Sequence, residues 1–71
     1  MDRQYVSSSN LRSVGFDVRT SVLEIEFNNG TVYQYFNVSE TVYTGLMSAS
    51  SKGSFFDLHV KKAGYRYQQI R

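Results

Sequence analysis

Polar and apolar residues alternate between residues 18 and 27, which is the pattern of a β-strand with one buried face. Three large apolar side chains fall on one face of this segment, whereas Glu24 and Glu26 fall on the other. The apolar face consists of Leu23, Ile25 and Phe27. We therefore predict a strand over residues 18–27, with its apolar face on the core and its two glutamates in solvent.

The segment Asn28-Asn29-Gly30 follows this strand and precedes residues 31–37, which are rich in β-forming side chains. This arrangement predicts a β-hairpin. Two registers are compatible with the pattern. If the last two residues of the segment form a two-residue turn, Phe27 pairs with Val32, and the amide of Gln34 becomes buried.

The other register has a three-residue loop in which Gly30 takes a left-handed backbone conformation, and Phe27 then pairs with Thr31. This register places Tyr33 and Tyr35 on the inner face of the sheet. Burying a glutamine amide without partners costs about 1–3 kcal/mol, whereas a tyrosine can bury its ring and keep its hydroxyl at the rim. We therefore favour the three-residue loop. It leaves two apolar side chains on the outer face, Val32 and Phe36.

Two helices are predicted after the hairpin. Ser39 can cap a helix over residues 40–49, in which apolar residues recur at helical spacing. Ser54 has an acidic residue three positions later, which is the spacing of a capping box, so we predict a second helix over residues 54–62. Gly64 is the expected C-terminal stop of that helix.

The ends of the chain supply two further strands. Residues 4–7 are predicted as one strand, and the serine-rich run after them is predicted as a turn. Residues 65–70 alternate aromatic and polar side chains and are predicted as a closing strand. The sequence thus predicts an α+β fold in a single domain over residues 1–71. A small antiparallel β-sheet of about four strands, with a central hairpin, packs against one or two short helices.

Composition limits the class of protein. A chain of 71 residues without cysteine must form a dense core, and the 11 Phe and Tyr residues can supply it. No run of apolar residues is long enough to span a membrane, and the polar N-terminus does not have the apolar segment of a signal peptide. We therefore expect a cytoplasmic protein with no membrane association.

The residues that could carry catalysis are few. His59 is the only histidine, and the absence of cysteine excludes a Cys-type zinc site. Glu24 and Glu26 stand about 7 Å apart along a strand, a separation also found in paired catalytic carboxylates, although alternating charges on a solvent face give the same pattern. Lys52 precedes a predicted helix N-terminus but does not belong to a Walker motif. We therefore predict no enzymatic activity, no cofactor and no metal site.

Charge is unevenly distributed along the chain. Residues 1–38 carry three arginines against four acids, a net charge of −1, and residues 39–71 carry five cations against two acids, a net charge of +3. Aromatic side chains lie among the C-terminal cations, a combination that pairs with phosphates and stacks on bases. We therefore predict a nucleic-acid-binding surface formed by Lys52, Lys61, Lys62, Arg66, Arg71, Tyr65 and Phe55.

Four segments carry a resemblance to a known family. They are the opening run over residues 6–17, the strand over residues 23–27 with its Gly30 turn, the central Tyr33-Gln34-Tyr35, and the late run over residues 51–56. Together they resemble the KTSC domain, which is named for a C-terminal extension of some lysyl-tRNA synthetases and also occurs as small stand-alone bacterial proteins. The family often has a proline where this chain has Ser39. The resemblance implies a small binding domain, with RNA as the usual suggestion.

Two functions therefore remain open at the level of sequence. The leading prediction is a nonenzymatic module that binds RNA, either tRNA or another structured RNA, through the C-terminal basic and aromatic residues. The alternative is a protein–protein interaction domain, for example a homodimer. It would use whichever residues of the hairpin are exposed, from the set Val32, Phe36, Tyr33 and Tyr35.

Overall fold

Five strands form one antiparallel sheet in the order β1-β2-β3-β4-β5, which is also their order along the chain. The computed structural model describes residues 1–71. The strands are β1 (Gln4–Tyr5), β2 (Leu11–Asp17), β3 (Val22–Phe27), β4 (Val32–Tyr35) and β5 (Tyr67–Gln69). Two helices, α1 (Glu40–Ser48) and α2 (Lys52–His59), and a 3-10 turn (Lys61–Ala63) connect β4 to β5. The predicted α+β class with a central hairpin is confirmed, but the sheet has five strands.

Strand β2 is missing from the sequence prediction. Its apolar residues Leu11, Val14 and Phe16 do not follow a strict alternation. A bulge between Leu11 and Ser13 shifts the register, so Leu11 and Val14 fall on the same face of the sheet although they are three positions apart. Because of the bulge, the apolar residues of β2 do not alternate with a period of two, and the sequence pattern therefore does not indicate a strand.

The prediction that the next strand begins at residue 18 is also wrong, because residues 18–21 form a turn. The Asp17 carboxylate accepts a hydrogen bond from the Arg19 backbone N–H at 2.9 Å, and the Asp17 carbonyl accepts one from the Ser21 N–H at 2.8 Å. Ser21 has a left-handed backbone with φ +59°. The bond from the Arg19 N–H is the main cause that lowers the pKa of Asp17.

The three-residue register of the central hairpin is confirmed. Ile25 pairs with Tyr33, and the Phe27 N–H donates to the Thr31 carbonyl at 2.9 Å. Gly30 has the predicted left-handed conformation, with φ +91°. Val32 lies on the outer face as predicted, yet only 1% of it is exposed. The outer face is therefore not a solvent face, and Val32 is excluded from the protein-contact surface that the alternative function requires.

The helices begin at serine caps. The Ser39 hydroxyl accepts a hydrogen bond from the Val42 N–H, which confirms the predicted start of α1. Helix α2 begins two residues earlier than predicted, because the hydroxyl of Ser51, and not that of Ser54, accepts the capping bond. It ends at the exposed His59, so the predicted end at residue 62 is wrong, and Gly64 ends the following 3-10 turn with φ +87°.

The helices cover one part of the inner face of the sheet. Phe16 of β2 stacks on Tyr43 of α1 at a centroid distance of 5.1 Å, and Phe56 of α2 makes an edge contact with Phe27 of β3 at 5.4 Å. Strand β5 lies beyond this cover, and Tyr67 on it is 62% exposed. The buried apolar cluster consists of Leu11, Val14, Leu23, Ile25, Tyr35, Val38, Leu46, Phe56 and Val60.

A network of charged and amide side chains covers the outer face. Glu24 and Glu26 are 6% and 7% exposed, so their predicted place in solvent is wrong. Arg3 contacts both carboxylates, and Arg71 Nη2 donates to Glu26 Oε2 at 2.8 Å. Ser13 Oγ donates to the other oxygen of Glu26 at 2.8 Å. Each buried carboxylate therefore has partners, as the burial of a charge requires.

Gly15 allows the N-terminal segment to lie against this face. A Cβ at Gly15 would stand 2.7 Å from the Asp2 carbonyl oxygen and 2.9 Å from Arg3 Cγ. A glycine at this position of β2 thus lets Arg3 approach the sheet and reach the two glutamates. The sheet therefore has one polar, closed face and one aromatic face that the helices only partly cover.

Candidate functional site

A cleft of about 690 Å³ opens on the aromatic face of the sheet, between the β3–β4 loop, α2 and β5. Its aromatic lining consists of Phe27, Tyr33, Tyr35, Phe56, Tyr65 and Tyr67. Its polar lining consists of Ser9, Asn10, Asn28, Asn29, Thr31, Asp57 and Lys61. A concave surface with aromatic walls and a few polar groups is the usual form of a ligand site. We call it the aromatic cleft.

Three tyrosines from two neighbouring strands form one wall of the aromatic cleft. Tyr35 pairs with Tyr67 across β4 and β5, with ring centroids 5.7 Å apart, and Tyr33 is 6.0 Å from Tyr67. The hydroxyl of Tyr33 donates to Gln69 Oε1 at 3.1 Å, which fixes the direction of that ring. Burial, with the neighbouring Tyr33 and Tyr67, raises the pKa of Tyr35 to about 12, so the Tyr35 hydroxyl keeps its proton and can donate at neutral pH.

Phe56 of α2 fixes the position of the buried tyrosine. Its ring makes an edge contact with Tyr35 at 5.6 Å and another with Phe27 at 5.4 Å. Tyr35 is 7% exposed, whereas Tyr67 is 62% exposed. The cleft therefore has a rigid, buried floor and an accessible outer wall.

Three asparagine side chains form the end of the cleft near the hairpin loop, and internal bonds orient each amide. The Asn10 Oδ1 accepts from the Ser8 hydroxyl at 3.2 Å, and Asn28 Nδ2 donates to the Ser8 carbonyl at 3.3 Å. The Asn29 Oδ1 accepts from both the N–H and the hydroxyl of Thr31. Asn10 Nδ2, Asn28 Oδ1 and Asn29 Nδ2 have no intramolecular partner and can bond to a ligand.

Positive charge lies on the α2 side of the cleft. Lys61 lines the cleft, is exposed and forms no ion pair. Asp57, which also lines the cleft, pairs with Lys62 at 3.1 Å. The charges of Asp57 and Lys62 compensate each other, so the uncompensated positive charge on this side of the cleft is that of Lys61.

The residues predicted from the sequence do not form one continuous surface. Lys61 and Tyr65 line the cleft. Lys62 forms an ion pair with Asp57, which also lines the cleft. Arg66 lies at a second concavity of about 460 Å³, beside Phe36, and Tyr65 lines both this concavity and the cleft.

The other three predicted residues lie outside the cleft. Lys52 donates its Nζ to the Ala49 carbonyl at 3.0 Å. Phe55 is half-buried and packs on His59 with centroids 4.4 Å apart. Arg71 lies on the outer face, where it bonds to Glu26.

Several residues of the cleft are absent from the predicted set, namely Phe27, Tyr33, Tyr35, Phe56, Tyr67 and the three asparagines. The alternating tyrosines at 33 and 35 and at 65 and 67 could have indicated the wall, had the pairing of β4 with β5 been known. The asparagines could not be found in this way, because Asn10 approaches the hairpin loop only through the fold.

The structure contains neither a candidate metal site nor a helix that could span a membrane. No cluster of three or more His, Asp or Glu side chains is arranged to hold a metal ion. Neither helix has the length and apolar character that crossing a membrane requires.

Comparison with known proteins identifies the family. The model of the KTSC domain matches residues 7–68 of the chain. The chain belongs to the KTSC domain family. The resemblance seen in the sequence is therefore confirmed, and the matched residues include every strand of this KTSC domain except β1 and the last residue of β5.

Relatives of the domain occur both alone and within a larger enzyme. An uncharacterized protein of Stutzerimonas stutzeri (strain A1501) is 40% identical over 70 residues, which is 99% of each chain. A lysine–tRNA ligase of Nostoc punctiforme is 34% identical over 60 residues, which is 84% of this chain but 10% of the ligase. The crystal structure of a KTSC domain protein from Yersinia pestis has a TM-score of 0.90 and 42% identity, and the match covers 99% of this chain and 97% of that one.

Proposed function

We propose that this KTSC domain is a nonenzymatic module that binds RNA, and that the aromatic cleft stacks an unpaired base beside a phosphate held by Lys61. The observation that carries the proposal is the exposed ring of Tyr67 on the tyrosine wall, in the same cleft as an unpaired lysine. RNA recognition commonly stacks splayed bases on aromatic side chains, and a nearby cation pairs with the backbone. The tyrosine wall and Lys61 offer both contacts in one concave surface.

Two further observations support RNA as the ligand. The chain carries a net charge of +2, which favours association with a polyanion. It is also similar to part of a lysine–tRNA ligase, an enzyme whose name gives tRNA as its substrate. A tRNA has unpaired loop bases and a single-stranded end, which suit a cleft of this size.

The cleft does not present a catalytic arrangement, which supports a binding role. Asp57, its only acid, is paired with Lys62, and its only serine, Ser9, has no histidine beside it in the lining. Acyl or phosphoryl transfer needs a nucleophile with a base in hydrogen-bond reach. Stacking and charge pairing need neither.

Titration with bulk tRNA and with a ten-nucleotide uridine strand tests the proposal. Replacing Tyr67 by leucine keeps an apolar side chain but removes the stacking ring. We expect this change to make the free energy of RNA binding less favourable by about 1–3 kcal/mol. Tyr5→Leu is the matched control, because Tyr5 is an 83% exposed tyrosine on the opposite edge strand. It should bind as tightly as the wild type.

A second pair of variants tests the phosphate contacts. Lys61→Gln with Lys62→Gln should weaken binding to every RNA by a similar factor, whereas Arg19→Gln in the exposed β2–β3 turn should have little effect. If Lys61, Lys62 and Arg66 contact about three phosphates, log K should fall with log salt at a slope of about −2. Melting temperatures of all variants should stay close to that of the wild type.

Three results would count against the proposal. Binding independent of salt would exclude phosphate contacts, and equal losses for Tyr67→Leu and Tyr5→Leu would exclude the cleft. No binding to either RNA, together with a dimer that Tyr67→Leu converts to monomer in sedimentation, would make the cleft a contact between copies of the chain.

A further inference from the structure

We propose that the aromatic cleft discriminates between nucleobases, and that Asn10, Asn28 and Asn29 contact the edge of the base that stacks on its tyrosine wall. This inference rests on the proposed function and adds a specificity to it. The three asparagines line the same cleft as the tyrosine wall and Lys61, at the end near the β3–β4 loop. A base on the tyrosine wall thus presents its polar edge to the amides.

The amides are already oriented in the free protein. The backbone N–H of Asn28 donates to the Asn10 carbonyl at 2.8 Å, which joins the loop to the segment before β2. Gly53 of α2 leaves room for the Asn10 amide, since a Cβ there would stand 2.5 Å from its Oδ1. Side-chain bonds to Ser8 and Thr31 then hold the three amides. Oriented polar groups discriminate more strongly than mobile ones, because less order is lost when a ligand binds.

The free groups of the three amides favour particular bases. They include the amino groups of Asn10 and Asn29, which donate, and the Oδ1 of Asn28, which accepts. With the Watson–Crick edge toward the amides, cytosine and uracil each offer two acceptors and one donor, and adenine offers one acceptor and one donor. The Watson–Crick edge of guanine offers one acceptor and two donors instead. A guanine that presents this edge leaves a donor facing a donor of the amides, so we expect guanine to bind most weakly.

Mononucleotides test this inference, because each has a single base and cannot shift its register in the cleft. The 5′-monophosphates of adenosine, cytidine, uridine and guanosine are titrated against the chain by NMR in a sodium buffer, with ribose 5-phosphate as the base-free control. We expect guanosine monophosphate to bind about tenfold more weakly than the tightest of the other three, which is the size of one good base-edge contact. Ribose 5-phosphate should bind more weakly than that tightest nucleotide.

Two variants separate base contacts from phosphate contacts. Asn28→Ala removes the free acceptor and one 3.3 Å bond, and it should reduce the difference between bases to about twofold. Asn28→Gln restores an amide and should recover part of the discrimination. Lys61→Gln should weaken all four nucleotides and ribose 5-phosphate equally. The matched amide control is Gln68→Ala, on the outer-face side of β5, which should leave every affinity unchanged.

The outcomes for this inference and for the proposed function are distinct. If the chain binds RNA in the cleft but the four nucleotides bind equally, base discrimination is wrong and RNA binding stands. If Asn28→Ala keeps the full tenfold difference, the asparagines are not the discriminating groups. If neither RNA nor any nucleotide binds, both proposals fail.

Discussion

Gly30 is the residue on which the central hairpin depends. Its backbone has φ +91°, and a Cβ at this position would meet no atom within 4 Å. The requirement for glycine is therefore purely conformational, since space is available. The same loop carries Asn28 and Asn29 and so sets the loop end of the cleft.

Gly30→Val is expected to lower the free energy of unfolding by about 1–2 kcal/mol or more, because β-branched residues tolerate a positive φ poorly. Gly30→Asn is the control, since asparagine tolerates the left-handed conformation better than most residues. Thermal or urea unfolding of the two variants measures the difference. A valine variant as stable as the wild type would mean that the loop can adopt another turn.

Single residues also show where prediction from the sequence reaches its limit. The inner-face positions of Leu23, Ile25 and Tyr33 followed from alternation and from the cost of burying a glutamine. The burial of Glu24 and Glu26 did not, because alternation identifies a polar face but not what covers it. That cover comes from residues distant in sequence, which only the fold brings together.

At the scale of elements, the start of α2 depends on the choice between two serines. Both Ser51 and Ser54 precede helix-forming residues, and the structure uses Ser51, so the helix gains the bond from the Phe55 N–H to the Ser51 carbonyl at 3.0 Å. The earlier start places Gly53 in the first turn, next to Asn10. The choice of cap thus affects the end of the cleft that holds the asparagines.

Ser51→Ala is expected to lower stability by about 1 kcal/mol, the usual cost of losing an N-cap. Ser54→Ala should change stability by less than about 0.5 kcal/mol, because Ser54 lies inside the helix and is exposed. Unfolding in urea compares the two variants directly. A larger loss for Ser54→Ala would assign the cap to the residue that the sequence pattern favours.

Elements with regular patterns could be predicted, and those with local irregularities could not. The period-two pattern gave β3 and the hairpin, and the cap at Ser39 gave α1. Strand β2 was missed because of its bulge, and residues 18–21 were assigned to the strand that follows although the hydrogen bonds of Asp17 hold them in a turn. Both errors arise where backbone hydrogen bonds override the side-chain pattern.

For the whole molecule, the chemistry of the site was easier to predict than its position. The sequence indicated a combination of cations and aromatic rings in the C-terminal half, and Lys61 and Tyr65 do line the cleft. It could not indicate that Arg71 lies on the other face of the sheet, because Arg71 meets Glu26 only through the pairing of β5 with β4 and of β4 with β3. The composition of the chain does not contain the information on which strands pair with each other.

The buried glutamates of the outer face make the stability of the fold depend on pH. The hydrogen bond from Ser13, followed by the charges of Arg3, Arg12 and Arg71, lowers the pKa of Glu26 below its usual 4.5. A lowered pKa in the folded state stabilises the fold above pH 4.5, and this contribution is lost as the pH falls through the lower value. Glu26→Gln should therefore melt at a lower temperature at pH 7 and lose less on acidification than the wild type.

Melting temperatures at pH 7 and at about pH 3 test this expectation. Glu40→Gln is the control, because Glu40 is exposed at the start of α1 and forms no ion pair. Some acid sensitivity should remain in Glu26→Gln, since the pKa of Asp17 is lowered as well. An unchanged difference between the two pH values would show that Glu26 does not carry this dependence.

The same network affects the order in which the chain folds. The contacts of Glu24 with Arg3 and of Glu26 with Arg71 join residues 21 and 45 positions apart. Such contacts require long loops to close, whereas the hairpin can form from neighbouring residues. We therefore expect the network to close after the rate-limiting barrier to folding has been crossed, so that it slows unfolding and does not speed folding.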